Sequence, residues 1–501
     1  MYASIPSATL LGAVGHPVTV EVHISNGLPG LAIVGLPDEA CREARDRVRA
    51  AFVSSSLPFP QQRVTVNLAP SSQRKGGAAL DLAIAVGLLV ADGSVPTAAI
   101  EGLAFFGELG LDGTLRPVPG MVPMVAAHRD LVPVVPRSAH HEAAVVRRDA
   151  RSVADLAELA AALRGLGPWP PAPREPDPPP PMPRPDLADV RGQPVGRMAV
   201  EVAAAGGHHL LLVGAPGGGK TMLAERLPGL LPPLEGDEAL NATMVRSASG
   251  LSLPPQGLVT DPPFRAPHHT SSVVSIVGGG THLMRPGELS LASGGVLFLD
   301  EMGEFPAQVL DALRQPLEAG VVRISRARAT VEFPAEVLLV GATNPCPCGG
   351  GTNRPCRCSD HAKSRYLRRL SGPLLDRFDL RVEVSRTAAA DLLGGQMGEP
   401  SAPIAERVRI ARAIACERGV ASNSRLVAGQ LDKVAPLDAE ARALAKFHVD
   451  TGRLTGRGLA RIRRVARTLA DLEGCEMIAE QHLALALHLR ADVLGLAAVA
   501  A

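Results

Sequence analysis

The sequence has almost no excess of charge of either sign. Its 51 Lys and Arg against 50 Asp and Glu leave a formal +1 over 501 residues. No global field draws such a chain to nucleic acid or to a membrane surface, so any polyanion site must be a local patch. Long apolar runs are also missing: the most apolar stretch, Leu82 to Val90, is closed by Asp81 and Asp92 and is too short to span a bilayer. No basic segment leads into an apolar core at the N-terminus, so the chain reads as cytoplasmic, with no membrane partner. Cysteines are few. Of seven, four crowd between Cys346 and Cys358 while Cys41, Cys416 and Cys475 are scattered, unlike an extracellular disulfide framework, and metal is the better reading for the cluster. What is present is apolar matter, 46% of the residues, enough for packed cores in about three domains.

The most informative stretch is His209 to Thr221. Leu210, Leu211, Leu212 and Val213 read as a buried parallel strand, which empties into Gly214-Ala215-Pro216-Gly217-Gly218-Gly219-Lys220-Thr221. This fits the phosphate-loop pattern at every fixed position. Gly214, Gly217 and Gly219 let backbone N–H groups turn toward phosphate oxygens, Lys220 supplies a point charge, Thr221 can hold Mg²⁺, and the following helix points its positive end at the anion. A second buried strand, Val296 to Leu299, ends in Asp300 and Glu301. Asp300 is suited to share Mg²⁺ with Thr221, and Glu301 to orient and polarise the attacking water. A third apolar run, Val337 to Thr343, ends at Asn344, in position to touch the γ-phosphate or its water. Downstream, Arg377 lies at a helix-to-strand junction and Arg457 opens Thr455-Gly456-Arg457-Gly458, and transfer of a phosphoryl group needs such cations. ATP and Mg²⁺ are therefore the expected cofactors.

Residues 1–167 read as an α/β unit, with strands at Val18 to Ile24 and Arg63 to Leu68 and helices at Asp38 to Phe52 and Asp81 to Val90. The run Gly107 to Gly120 followed by Val125 to Arg129 resembles the proteolytic domain of Lon-type proteases, a ribosomal S5 domain 2-like fold. That family uses a Ser–Lys dyad. Laying Arg74-Lys75-Gly76-Gly77-Ala78-Ala79 on its serine loop puts Ala78 at the nucleophile position, and the Pro119-Gly120 stretch puts Met124 at the lysine position. Ser71 and Ser72 lie nearby but have no matching lysine, so covalent acyl transfer has no agent and the unit reads as a scaffold or binding surface. Prolines dominate residues 168–187, which read as an extended spacer.

Residues 188–388 carry the nucleotide motifs together with three further features. Leu234 to about Gly287 is longer than one helix and one strand require, and its His268-His269 pair lacks further ligands and reads as a polar loop. Val321 to Phe333 alternates in strand period around a basic centre and reads as a hairpin with Arg326 and Arg328 near its tip. Cys346, Cys348, Cys356 and Cys358, two C-x-C pairs across a Gly/Asn/Pro loop, can bring four thiolates round one structural Zn²⁺. Residues 400–501 show helical period at Ile404 to Arg418, Asp438 to Val449, Gly458 to Leu472 and Ala479 to Leu489. In the third of these, Arg461, Arg463, Arg464 and Arg467 read as a mostly solvated face.

The order of phosphate loop, Asp300-Glu301, Asn344, Asp376-Arg377-Phe378-Asp379 and Arg457 resembles AAA+ ATPases of the magnesium-chelatase and minichromosome-maintenance branch. Phe264-Arg265-Ala266-Pro267-His268-His269-Thr270, Arg285 to Ala292, Asn344 to Gly349 and Val465 to Leu472 look more narrowly like the ComM/YifB family. The resemblance implies a parallel-sheet ATPase core with a C-terminal helical lid, assembled as a homo-hexamer with ATP sites between subunits. Arg377 would then be an arginine finger given in trans and Arg457 a cis sensor of the lid. It further implies action on single-stranded or branched DNA, as in branch migration during recombination or natural transformation, with the insertion and the hairpin reaching the pore and Arg326 and Arg328 meeting phosphates. The rival is a magnesium-chelatase motor subunit driving Mg²⁺ into a tetrapyrrole.

Overall fold

In the first 70 residues, alternation of apolar and polar side chains sets up a sheet with one covered face. Tyr2–Leu11 and Val14–Ser25 form an antiparallel hairpin, Arg63–Ala69 pairs antiparallel with the second strand, and Gly30–Val34 lies parallel on Arg63–Ala69. The computed structural model describes residues 1–72, 75–174, 184–280, 284–326, 329–350, 356–370, 372–394 and 397–491. Val18, Val20, Val22 and Ile24 point from the sheet into a core shared with helices Glu39–Ser54 and Asp81–Ala91. The second helix is apolar on all sides because it is buried on all sides. Asp81, which opens that helix, is itself fully buried, held by Arg47 at 2.7 and 3.0 Å. A parallel three-stranded sheet of Leu103–Phe105, Val132–Pro136 and Arg151–Val153 follows.

Five short strands line up in one parallel sheet with the order Phe264–Arg265, Val296–Leu299, Leu338–Thr343, Leu210–Val213, Leu380–Glu383. Period-two alternation splits each central strand between two cores. Leu210, Leu212, Val296, Phe298 and Val340 face helix Pro194–Gly206 and the C-terminal helices, while Leu211, Val213, Leu297, Leu299 and Leu339 face Phe305, Val309, Leu313 and the hairpin of Val321–Arg326 and Ala329–Pro334. Both faces are covered, as parallel sheets require.

The C-terminal helices Ser401–Glu417, Ala439–Asp450, Gly456–Leu472 and Glu480–His488 pack on this sheet through a buried polar chain. His208, just before strand Leu210–Val213, joins Asp379 at 3.0 Å and Thr468 at 2.9 Å. Asn423 then bridges Thr468 to Asp471, whose carboxylate also takes bonds from Arg467 at 3.0 Å and Arg418 at 2.6 Å. Arg463, Arg464 and Arg467 of Gly456–Leu472 are therefore not a solvated face. Arg467 is 1% exposed and donates to the carbonyls of Cys475 and Glu476, Arg463 reaches Asp432 and the carbonyls of Leu431 and Ala435, and Arg464 reaches the carbonyl of Leu426. Their acceptors are backbone groups that only the tertiary fold brings into range.

The N-terminal sheets also dock on the part of the chain built round the five-stranded sheet. Ala13, in the first hairpin turn, is buried with Val322, Val331 and Phe333, and a Cβ on neighbouring Gly12 would stand 3.2 Å from that of Val331. Helix Met121–Ala126 lies against helix Gly236–Ala248: the N–H of Gly120 donates to the Ser247 carbonyl at 2.9 Å, and the Ser247 hydroxyl donates to Glu142 at 2.6 Å. Among the described residues no helix is long and apolar enough to cross a membrane.

Asp471 is the hub of the C-terminal polar chain. Replacing it with Ala leaves Arg467 and Arg418 without their carboxylate in a buried site, so Asp471→Ala should lower unfolding free energy by roughly 3–5 kcal/mol in denaturant titration, whereas exposed Asp432→Ala should change it little.

Candidate nucleotide site and cysteine cluster

The loop after strand Leu210–Val213 turns sharply because its glycines permit it. A Cβ on Gly214 would stand 2.2 Å from the Val384 carbonyl oxygen, and Gly219 closes the loop with φ +88° as the cap of helix Lys220–Arg226. Lys220 is 9% exposed, and its ammonium donates to the carbonyls of Gly214 at 2.7 Å and Ala215 at 3.1 Å and to Asn344 Oδ1 at 3.2 Å. Burial pulls its pKa below the ordinary lysine value, while the charges of Asp300 and Glu301 act in the opposite sense. Strand register brings these groups together. Val213 pairs with Thr343, so the phosphate loop and Asn344 leave the sheet at one level, and Leu299 pairs with Gly341 on the other side of the same strand.

Thr221 and Asp300 meet from strands that are not neighbours. The Thr221 hydroxyl donates to Asp300 Oδ2 at 2.9 Å, the separation expected of two adjacent ligands on an octahedral Mg²⁺ with bonds of about 2.0–2.1 Å. The pair fits that ion, and hard oxygen ligands suit it. Glu301 is 58% exposed at its side chain and holds φ +50°, a left-handed conformation rare for a residue with a side chain, while its N–H donates to Asp300 Oδ1 at 2.8 Å. Lys220, Thr221, Asp300 and Asn344 are thus brought together, with Glu301 at the open rim.

Arg377 and Arg457 are not brought to this chain's own loop. His209, Gly295, Val337 and Asp379, each just before a strand, line a cleft of about 690 Å³ at the amino ends of the sheet, opposite the phosphate loop, together with Arg377, Arg461 and Arg464. Arg377 is paired there with Glu318 at 2.6 Å. Arg457 is exposed in the first turn of Gly456–Leu472. One turn on, Arg461 comes within 4.0 Å of Asp376, so the start of this helix lies beside the Asp376-Arg377 turn. In the same cleft region His209 is half-buried, desolvation lowers its pKa to about 4, and its neutral ring accepts the N–H of Leu339 at 3.1 Å. Glu318 and His209 carry no motif and were not legible in the sequence.

Arg326 ends strand Val321–Arg326 of the predicted hairpin, whose register pairs it with Ala329. Arg328 lies outside the described residues, as does Arg74 of the loop laid on the Lon serine loop. Met124, at the position a dyad lysine would take, is buried in helix Met121–Ala126.

The four cysteine sulfurs lie within 4.8 Å of one another. Cys346 and Cys348 are 3.4 Å apart, Cys346 and Cys356 3.4 Å, and Cys348 and Cys356 3.7 Å. Tetrahedral Zn²⁺ with bonds of about 2.3 Å needs sulfurs about 3.8 Å apart, so the residues fit that ion. Backbone N–H groups of Arg357 and Gly350 hold the Cys348 thiol down to about 6, toward the thiolate a metal needs, whereas burial raises that of Cys346. Freshly purified chain, kept from chelators, should carry one zinc per chain by elemental analysis, and a Cys346→Ser/Cys356→Ser protein should carry none and unfold at a lower temperature. Wild-type protein free of zinc would sink the site.

Three family profiles match the chain: magnesium chelatase, subunit ChlI, over residues 186–392; subunit ChlI of Mg-chelatase over 20–136; and magnesium chelatase, subunit ChlI C-terminal, over 398–490. Among curated proteins, an uncharacterized protein of Mycobacterium tuberculosis is 44% identical over 476 residues, 93% of this chain and 94% of its own length. The competence protein ComM of Haemophilus influenzae is 41% identical over 501 residues, 98% of each chain. The uncharacterized protein YifB of Escherichia coli is 41% identical over 493 residues, 96% of this chain and 95% of its own. A fold of mixed α/β type with a parallel sheet, the phosphate-loop site and likeness along nearly the whole length agree, and the chain belongs to the ComM/YifB family of magnesium-chelatase-like proteins.

Proposed function

We propose that the chain is a ring-forming AAA+ ATPase, most simply a homo-hexamer, that couples ATP hydrolysis to DNA remodelling of the branch-migration or helicase kind. The observation that carries the motor reading is the division of the site between the two ends of one sheet. Lys220, Thr221, Asp300 and Asn344 sit at the carboxyl end, while Arg377 opens from the amino end. A finger on the far edge cannot serve its own pocket, but it can complete the pocket of a neighbour in a ring. The DNA half of the proposal rests on likeness to a relative named for competence.

On this reading Lys220 binds the terminal phosphates, Thr221 and Asp300 hold Mg²⁺, Asn344 touches the γ-phosphate, and Glu301 orients water and accepts its proton. Mg²⁺, when bound, bridges the phosphates and neutralises charge that develops in the transfer. Arg377 is given in trans. The resemblance implies a cis sensor at Arg457, but the place of that residue beside the Asp376-Arg377 turn favours the neighbouring subunit's phosphates. Residues 1–167 form a Lon-protease-like domain without the dyad, 168–187 a linker, 188–388 the ATPase core and 400–501 a helical lid, with structural Zn²⁺ bracing the loop 346–358 beside Asn344. The burial of Met124 and the docking of its helix on Gly236–Ala248 support a scaffold role for the first domain.

Glu301→Gln should bind ATP and lose nearly all turnover, since the amide keeps the shape and loses the proton acceptor. Arg377→Ala should also be inactive with affinity for ATP largely kept, and mixing the two inactive proteins should restore part of the activity, because some interfaces then pair an intact Glu301 with an intact Arg377. No recovery at any ratio, with rings intact by light scattering, would count against donation in trans.

Replacing Arg326 and Arg328 with Ala should weaken binding of forked DNA about equally across sequences and flatten the log–log salt dependence by roughly 0.7–0.9 for each phosphate that is no longer neutralised. DNA-stimulated hydrolysis should fall while basal hydrolysis survives. An unchanged slope with full stimulation would show that the hairpin does not grip DNA.

A further inference from the structure

The whole chain carries a formal +1, yet residues 356–369 hold Arg357, Lys363, Arg365, Arg368 and Arg369 against one carboxylate, Asp360. This is a local patch of the kind that a nearly neutral chain needs to hold a polyanion. The cations sit on and just before helix Asp360–Arg369, whose two sides differ. Tyr366 and Leu370, one turn apart, are 4% and 1% exposed. At about 100° per residue, His361, Arg365 and Arg368 fall within roughly 60° of one another on the opposite side, and all three are exposed.

Both ends of the helix are held. The Tyr366 hydroxyl lies 2.9 Å from that of Thr343, and a Cβ on Gly303 would stand 2.3 Å from the Tyr366 ring, so the helix rests directly on the backbone that follows strand Val296–Leu299. Its first turn is capped by Ser359, whose hydroxyl accepts the N–H of Ala362 at 3.2 Å, and Cys358 of the cysteine cluster comes immediately before that cap. Arg357 lies within the cluster, where its N–H donates to the Cys348 thiol. A helix pinned in this way presents its outer side chains without the ordering cost of a loop.

Among the described residues, Lys363 pairs with Asp360 at 3.7 Å and Arg369 with Glu304 at 3.3 Å, while Arg357, Arg365 and Arg368 have no carboxylate within ion-pair distance. Cations that neutralise no acid of their own chain are open to an outside anion, and their arrangement indicates its shape. A small anion needs donors that converge on one point, whereas these form a row. From His361 to Arg368 is about 10 Å of helix, the length of about three phosphates of a nucleic-acid strand at about 3.4 Å each. We propose that Arg365 and Arg368, with His361, form a DNA-backbone contact separate from the hairpin of Val321–Arg326 and Ala329–Pro334. The inference rests on the reading of DNA as the substrate. Side chains that meet phosphates and no base edges add affinity without sequence preference.

The test titrates forked DNA with the full-length chain across a salt series, read by fluorescence anisotropy. Arg365→Ala/Arg368→Ala should weaken binding roughly tenfold at about 100 mM salt and flatten the log–log slope by about 0.7–0.9 for each phosphate no longer neutralised. Arg365→Lys/Arg368→Lys keeps both charges and should bind within about twofold of wild type. Circular dichroism and basal ATP hydrolysis should be unchanged in both, because the two arginines are exposed and lie outside the nucleotide site. Combined with Arg326→Ala and Arg328→Ala, the losses should multiply, as for independent contacts. If Arg365→Ala/Arg368→Ala binds forked DNA as tightly as wild type and with the same slope, the helix contact is wrong and the DNA reading stands. Wild-type chain that does not bind forked DNA even at low salt would overturn the DNA reading, and this contact with it. Loss of polyglutamate binding with DNA binding intact would give the row to an acidic protein and overturn the contact as well.

Discussion

The nucleotide site depends on strand register more than on any single contact. Lys220, Asp300 and Asn344 belong to segments far apart in sequence, and none could find the others by local structure. They converge because Leu210–Val213, Val296–Leu299 and Leu338–Thr343 are parallel and end at nearly one level, with Val213 against Thr343 and Leu299 against Gly341. A slip of one residue in any of these strands would turn its buried side chains to the opposite core and shift its terminal polar group by about 3.3 Å, enough to separate Thr221 from Asp300. Burial on both faces of the sheet is what makes such a slip costly. The chemistry of the site is therefore guarded by apolar residues that never meet a nucleotide.

The same logic explains what could be read in advance. Motifs whose meaning is local were legible: a strand followed by Gly214 to Thr221, a strand followed by Asp300 and Glu301, and two C-x-C pairs whose sulfurs do gather. The helices and strands that were named, such as Arg63–Ala69, Asp81–Ala91 and Ala439–Asp450, lie close to their expected ends, whereas Tyr2–Leu11, Pro194–Gly206 and Gly236–Ala248 were not singled out. What could not be read were contacts with distant partners that no motif announces. Arg461, Arg463, Arg464 and Arg467 look like a charged face, yet most find backbone carbonyls or Asp471 once the bundle closes. His269 looks like loop, and its neighbour Glu301 is supplied by the adjoining strand. Arg377 lies at the helix-to-strand junction its sequence indicated, but its pairing with Glu318 there carries no sequence signal.

The polar chain from His208 through Thr468 to Asp471 gives the C-terminal helices a fixed seat on the sheet. It begins two residues before the strand that leads into the glycine-rich loop and ends in the last turn of helix Gly456–Leu472. Every member has its partner, so the chain of bonds specifies one docking angle in place of a sliding apolar contact. Rearrangement of the helices relative to the sheet would have to break these bonds together or leave the seat intact and move elsewhere.

Docking of the N-terminal sheets on helix Gly236–Ala248 and on the hairpin also changes what the proline-rich residues 168–187 are for. The two parts they join already touch through Ala13, Gly120 and Glu142, so the segment does not set their relative placement. Closing a loop costs only about 0.6 kcal/mol more for each doubling of its length. Both ends of the segment are themselves seated, Trp169 packing on the first core with the Arg151 guanidinium over its ring and Asp186 accepting the N–H groups of Ala188 and Ser401 beside buried Leu187, so substitution at either end reaches into the parts it joins.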